Sequence, residues 1–318
     1  MDHKIVRVVV VITTYNSEDY ILDAVHSILQ QDFKELKLIV VDDGSTDQTN
    51  EKLQEVKDER LFIHKLPTNC GIAIARNIGT RLAGEAEYLA VMDSDDIALP
   101  HRISTQVSFL DKHPKTHILG SRIKIFHKDS SNITNEPIHP TEDSEIKSRL
   151  LLLNGSALIH PSTMIRMAFL KANHLDYPPP VRGLLGIDHD FWISAIPFGV
   201  VFNSLEDLLL LKRRHPNNVS RHSKNGGLLA NLKTISRSRL LHYYYPELTG
   251  HEINHLALLL EEKRALSFEE LALGYSVFKK ISSIKTSSFG ESKKRLQYFI
   301  QQALQQKRTI VQEVKEQK

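Results

Sequence analysis

Tyr88-Leu89-Ala90-Val91-Met92 runs without a break into Asp93-Ser94-Asp95-Asp96. A short apolar run of this kind reads as a buried strand, and the acids behind it place charge where that strand leaves its sheet. Carboxylates this crowded repel one another unless a cation lies between them. Their hard oxygen atoms suit Mg2+ or Mn2+, commonly with a substrate phosphate completing the shell. An isolated Asp-x-Asp is as much at home in a solvated acidic turn that caps a helix, so the neighbouring segments decide between the two readings.

Upstream the pattern alternates strand and helix. Ile5–Ile12 is continuous and β-branched, as expected of a parallel strand covered on both faces. A helix is expected from Ser17, with Ile21, Leu22, Val25, Ile28 and Leu29 at helical spacing. Leu36–Val41 is a second strand, and Ser45-Thr46-Asp47-Gln48 reads as a capping box opening the next helix. Leu61–Leu66, a helix over Gly71–Leu82 and the strand Tyr88–Met92 complete the series. Such alternation predicts right-handed crossovers and a parallel, doubly wound sheet, an α/β fold. Every strand of such a sheet ends on one edge, where ligands bind. Four loops meet there: Thr13–Asn16, Asp42–Ser45, Asn69–Gly71 and Asp93–Asp95. All four are polar and two are acidic, which turns the acidic turn into one wall of a site.

Further along, Ile118–Phe126 reads as an extended strand or strand pair, Ala157–Ile165 as another, and Tyr177–Pro180 as a proline-rich loop near the site. Gly186-Ile187-Asp188-His189-Asp190-Phe191-Trp192 opens a helix with two acids in its first turn. Leu208–Arg214 leads into His215. Beyond about residue 226 helices are expected over Leu228–Tyr245, Glu252–Leu260, Phe268–Ile281 (capped by Ser267 and Glu270) and Ser292–Glu316. The domain boundaries expected are 1–225, with a nucleotide-binding half at 1–110 and an acceptor half at 111–225, and a C-terminal helical region at 226–318.

The chain has 318 residues, 41% hydrophobic and 25% charged, enough for one large domain with an appendage or two domains. Its apolar runs fall short of the roughly 20 residues of a membrane span. No signal peptide is expected, and the single Cys70 fits a reducing cytoplasm. The net charge of +3 hides an asymmetry: from Arg221 onward 17 Lys and Arg stand against 9 Asp and Glu, a balance of +8 that leaves −5 before it. Tyr243-Tyr244-Tyr245 beside Arg237 and Arg239 suits either a peripheral membrane contact, with the basic Lys293-Lys294-Arg295 run on the same surface, or an ordinary helix–helix packing. No nucleic-acid motif accompanies the basic tail.

Six segments, in order, resemble glycosyltransferase family two: Val9–Asn16, Val40–Asp47, Asn69–Gly79, Met92–Asp96, the Asp188 region, and Arg214-His215 with Ser220. The resemblance covers roughly residues 5–220. It implies a GT-A fold, a Rossmann-like and mostly parallel sheet flanked by helices, here with a C-terminal helical extension. It also implies an inverting, metal-dependent transfer of sugar from a nucleotide-diphosphate donor, a UDP-sugar, with Mn2+ or Mg2+. The acceptor would be a glycan or lipid-linked hydroxyl in bacterial envelope polysaccharide or lipopolysaccharide assembly.

By that resemblance Thr13, Tyr15, Asn16 and Asp43 would hold the nucleoside and Arg76 would stand near it. Asp93 and Ser94 would contact ribose or metal, Asp95 would be the main metal ligand and His215 a late metal or diphosphate ligand. Asp188 would be the catalytic base. The family pattern has an acid before this Asp, where this chain has Ile187. A partly desolvated pocket beside Phe191 and Trp192 would raise the Asp188 pKa.

Read from the residues alone, Asp188 competes with Asp190 and with simple helix capping, and His215 with an ordinary surface histidine. Trp192 suits core packing or sugar stacking, while Asp42 and Asp47 suit turns. Two other functions remain: a sugar nucleotidyltransferase, which would want a glycine-rich first loop that Thr13–Asn16 lacks, and a non-catalytic binding module, which would have a broken acid cluster. A processive synthase lacks support, since no Gln-x-x-Arg-Trp occurs.

Overall fold

The computed structural model describes residues 6–127, 129–134, 139–152, 157–178, 186–216, 218, 226–260, 266–283, 297, 298, 300, 301 and 305. It divides into two compact units, the first Met1–Thr141 with Leu158–Ser223, the second Glu142–Ala157 with Lys224–Lys318.

The first unit begins with β1 (Val8–Thr14), α1 (Ile21–Leu29), β2 (Leu36–Asp42), α2 (Thr49–Glu55), β3 (Leu61–Lys65), α3 (Ile72–Leu82) and β4 (Tyr88–Asp93). These strands pair in parallel in the order β3-β2-β1-β4. β1 is buried at every position, which is why its sequence is an unbroken apolar run and not an alternation. α1 buries Ile21, Ala24, Val25, Ile28 and Leu29 on one stripe. α3 lies close against the sheet through Gly79, where a Cβ would stand 2.4 Å from Val11 Cγ1.

The second half of this unit adds β5 (Ile97–Ala98), α4 (Arg102–Lys112), β6 (Ile118–His127), β7 (Asp129–Thr134), β8 (Met164–Arg166), α6 (Met167–Ala172), α7 (Ile187–Ala195) and β9 (Phe202–Arg214). The sheet continues from β4 through β8, β6 and β9 to β5, with β7 hung on β6. β8 runs antiparallel to β4 and β6, and β9 runs parallel to β6. Six strands, β1, β2, β3, β4, β6 and β9, therefore point one way. The sheet is mixed but mostly parallel. β5 follows β4 after three residues yet pairs with β9, so the acidic loop between them is tied to the end of β9.

Three local expectations change. The first helix begins at Ile21, after a turn in which Ser17 O accepts from Tyr20 and Ile21 N–H. No capping box forms at Ser45, because its hydroxyl accepts from Asn16 N–H at 2.9 Å; α2 starts at Thr49, whose N–H donates to Asp47 at 3.0 Å. Ala157–Ile165 is not one strand: a 3-10 turn occupies His160–Ser162, where Pro161 has no N–H for a ladder, and only Met164–Arg166 pairs.

The second unit holds α5 (Asp143–Leu152), α8 (Gly226–Tyr244), α9 (Gly250–Leu259) and α10 (Phe268–Ser283). Ser267 and Glu270 cap α10 reciprocally, as the sequence predicts, and Thr249 with Glu252 does the same for α9. Tyr244, Tyr245 and Arg237 are buried, and the Arg237 guanidinium donates to the carbonyls of Leu151 and Ala257. These three side chains of the aromatic–basic cluster serve helix packing, while Tyr243 is half-buried and Arg239 exposed. The expected Ser292–Glu316 helix falls almost wholly outside the described residues, as do Lys293-Lys294-Arg295, Ser220 and Pro180. No helix among the described residues is long and apolar enough to cross a membrane.

Candidate active site

Strand register builds the site. Thr13 at the end of β1 lies beside Val41 of β2 on one side and Asp93 of β4 on the other. Three loops rise from those ends. Gly44, at φ 74°, lets the 42–45 turn pass the Thr68–Asn69 backbone, where a Cβ would come within 2.5 Å. Asp43 is buried and accepts from Cys70 N–H at 2.7 Å and Gly71 N–H at 2.9 Å, tying this turn to the start of α3. Asn16, at φ 50°, spends its side-chain oxygen on Thr46 N–H at 2.9 Å. Tyr15 beside it is 46% exposed. Ser94 Oγ meets Ser17 Oγ at 2.9 Å. Asp42 and Asp47 act as turn residues, accepting from Ser45 N–H and from Glu18 and Thr49 N–H.

The acid cluster lies at the β4 end. Carboxylate oxygens of Asp93, Asp95 and Asp96 all fall within 4.8 Å of one another. Asp96 is fully buried; its Oδ1 accepts from Arg213 N–H at 2.9 Å and its Oδ2 has no hydrogen-bond donor. Burial and the neighbouring acids push the Asp96 carboxyl well above the ordinary range, although Lys212 opposes them. Asp95 is also raised, by burial and then by Asp93. Asp93 is lowered: burial would raise it, but Lys212 and Arg76 win. Asp95 Oδ2 is held by His215 Nε2 at 2.9 Å and Asn218 Nδ2 at 2.8 Å. Arg213, packed between the rings of Tyr20 and Phe126, donates to Asp95 O and to Asp23.

Asp188, in the first turn of α7, faces the same cluster. Arg76 bridges it to Asp93, donating to Asp188 Oδ1 and, at 3.2 Å, to Asp93 Oδ1. Desolvation raises the Asp188 pKa, but the Arg76 charge and His160 outweigh it, so the carboxyl sits below its usual value. This corrects the expected upward shift. The apolar neighbours are present, yet a buried guanidinium in contact is the stronger influence. His160 is 3% exposed, with Nε2 at 2.8 Å from Tyr177 OH and Nδ1 at 3.9 Å from Asp188 Oδ1. Burial, and then Arg76, lower its pKa to about 4, so it is neutral at pH 7. Tyr177 stacks on Phe191 at 4.2 Å, and Asn77 clamps its backbone through both N–H and C=O. Trp192 is core.

The structure therefore brings Thr13, Arg76, Asp93, Asp95, Asp188 and His215 to one edge, while Asn16 and Ser94 brace loops there. The sequence reading missed Lys212, Arg213, Asn218, His160, Tyr177 and Asn77. A signal existed for two of them: three clustered acids need cations, and Lys212-Arg213 stands just before Arg214, the last residue of the strand that reaches them. His160 was hidden inside a presumed strand.

A divalent cation fits this donor set. The crowded oxygens are hard ligands, and the buried Asp96 Oδ2, which accepts no hydrogen bond, lies beside two further carboxylates.

The sequence model of the family described as Glycosyl transferase family 2 matches residues 9–173. An uncharacterized glycosyltransferase of Haemophilus influenzae is 30% identical over 251 residues, covering 74% of this chain and 73% of that protein. Poly(ribitol-phosphate) beta-N-acetylglucosaminyltransferase TarS of Staphylococcus aureus is 30% identical over 179 residues, 54% of this chain but only 30% of TarS. The crystal structure of S. aureus TarS 1-349 in complex with UDP-GlcNAc superposes with a TM-score of 0.64 at 20% identity, covering 98% of this chain and 92% of that one. That likeness carries the GT-A fold. With the family match across more than half the chain, it follows that this protein is a glycosyltransferase and belongs to glycosyltransferase family 2.

Proposed function

We propose that the protein transfers a sugar, with inversion, from a UDP-sugar to a hydroxyl of a glycan or lipid-linked acceptor in bacterial envelope polysaccharide or lipopolysaccharide synthesis. The observation that carries this reading is the shared edge on which Asp188, Arg76 and the Asp93–Asp95–Asp96 cluster meet. The UDP-GlcNAc bound in the TarS structure supports the donor class.

Thr13, Tyr15, Asn16 and Asp43 hold the nucleoside end, with both Asp43 oxygens fixed by the backbone amides of Cys70 and Gly71. Asp93 and Asp95, with His215, would hold Mn2+ or Mg2+, and Ser94 and Asp93 the ribose side. A divalent cation there would supply neutralising charge for the departing diphosphate. Asp188 takes the proton of the acceptor hydroxyl as its oxygen bonds to the anomeric carbon. The bond from that carbon to the diphosphate breaks on the opposite face, and its electron pair leaves with UDP. The lowered pKa of Asp188 keeps it ionised for this step, and Arg76 sets its orientation.

Incubating the protein with a panel of UDP-sugars and an acceptor mixture, with and without Mn2+, tests the reading. UDP release that requires metal is expected. Release unaffected by chelation, or formation of a new nucleotide–sugar in place of UDP, would overturn it.

A further inference from the structure

Among the described residues, one cation stands inside the acid cluster and has no part in the reaction above. Lys212, the antepenultimate residue of β9, places Nζ 3.2 Å from Asp93 Oδ2 and 3.7 Å from Asp96 Oδ2. Its side chain is 34% exposed, so the ammonium enters the cluster from the open side, unlike Arg76, which is 7% exposed on the other flank of Asp93. The backbone on either side of Lys212 is fixed. Its β-partner is Ile125, the preceding Leu211 is paired with Lys124 and Ile97 on either side, and the next N–H, from Arg213, is bound to Asp96 Oδ1. Only the four-carbon stem of Lys212 is free to move the charge.

Resting on the metal-binding reading, we infer that Lys212 is the resident counter-ion of the acid cluster and a direct competitor of the divalent cation. The physical reason is that Lys212 Nζ and a divalent ion want the same oxygens, Asp93 Oδ2 and the donorless Asp96 Oδ2. Two cations cannot share those oxygens at contact distance without strong repulsion. Metal entry therefore requires the lysine to swing out, along the side on which it is exposed. Its flexible stem and compact charge suit a displaceable ion, which a forked guanidinium would suit less well. The consequence is a deliberately weakened metal site: the cluster stays neutralised between turnovers, and a divalent ion is held firmly only when a donor diphosphate adds its own negative charge.

The test measures Mn2+ binding without nucleotide, by the EPR signal of free Mn2+, for wild type, Lys212→Met and Lys212→Arg. Removing a unit charge a few ångströms from a divalent ion in a partly screened site predicts Mn2+ binding tighter by roughly tenfold or more in K212M. K212R, which keeps the charge, is expected to bind no more tightly than wild type. In melting experiments without metal, K212M should unfold at lower temperature than wild type, and saturating Mn2+ should close that gap. Equal affinity in wild type and K212M, or weaker binding in K212M, overturns the inference while leaving the metal site standing. Absence of Mn2+ binding in all three proteins overturns both. Should K212M prove too unstable to purify, Lys212→Gln carries the same comparison, with the same expected order.

Discussion

At Asp188 the chain makes its most exposed commitment. Its carboxylate touches the Arg76 guanidinium, and the neutral His160 ring stands 3.9 Å away. Asp188→Asn keeps size and hydrogen bonding but cannot take a proton. It should lower kcat by about 10²–10⁴-fold, the range of general-base catalysis, while UDP affinity by titration stays within a few-fold. A variant retaining a tenth of the wild-type kcat would remove Asp188 from this role. His160 makes a second, separable claim. Its pKa is about 4 in the fold against 6.5 ordinarily, so between those values the unfolded chain holds a proton that the folded chain does not. Stability must then fall as pH drops from about 6.5 toward 4. His160→Gln, which preserves a polar atom for Tyr177, should show a shallower loss of melting temperature between pH 7.5 and pH 5 than wild type. Parallel pH curves would mean that His160 is not held neutral by its burial. The residues themselves were only partly legible. Asp93 and Asp95 announce themselves because charge at the end of an apolar run is costly without a purpose, and Asp188 stands out only through the family resemblance, whereas His160 and Lys212 become meaningful only through partners 17 or more residues away.

At the level of elements, α3 is the hinge pin of the site: consecutive residues Arg76 and Asn77 hold Asp188 and the Tyr177 backbone. The helix can do this only because Gly79 lets it lie against β1. Gly79→Ala would drive a methyl into Val11 Cγ1, which stands 2.4 Å from the Cβ position. Overpacking of this kind costs about 1–3 kcal/mol. A urea midpoint should register that loss, and Val11→Ala, by opening the space, should make the second substitution cheaper than the first alone; strict additivity would show that the two do not meet. The same contrast explains which elements could be read from sequence. β1 and β4 are continuous apolar runs, and β2 is one from Leu38 to Val41, because both faces are covered, so local pattern sufficed. The missing capping box at Ser45 and the pairing of two-residue β5 with β9 depend on contacts from Asn16 and Leu210–Leu211, which no local window contains.

Across the whole molecule, among the described residues, the first unit carries every strand and every side chain of the site, while the second is helical. The change from parallel to antiparallel pairing at β8 was illegible, since β8 is three residues long and follows a turn forced by Pro161. Yet that irregular half is what brings β9, and with it Lys212, Arg213, His215 and Asn218, to the end of β4. The loops proposed to hold the nucleoside belong to β1 and β2, whereas the acid cluster lies at the ends of β4 and β9. Ligand linkage should expose this division of labour. A ligand that binds only the folded chain stabilises it by about 2.7 kcal/mol at a hundred times its Kd. UDP with Mn2+ should therefore raise the melting temperature by several degrees, more than the two added separately, because in the proposed function the diphosphate and the acid cluster both bind the ion. In Asp95→Ala the Mn2+-dependent part of that shift should vanish, since the substitution removes a carboxylate held between His215 and Asn218. The smaller shift from UDP alone should persist, carried by Thr13, Tyr15 and Asp43 on the other strands. If Asp95→Ala melted with an undiminished joint shift, nucleotide and metal would not be meeting at β4.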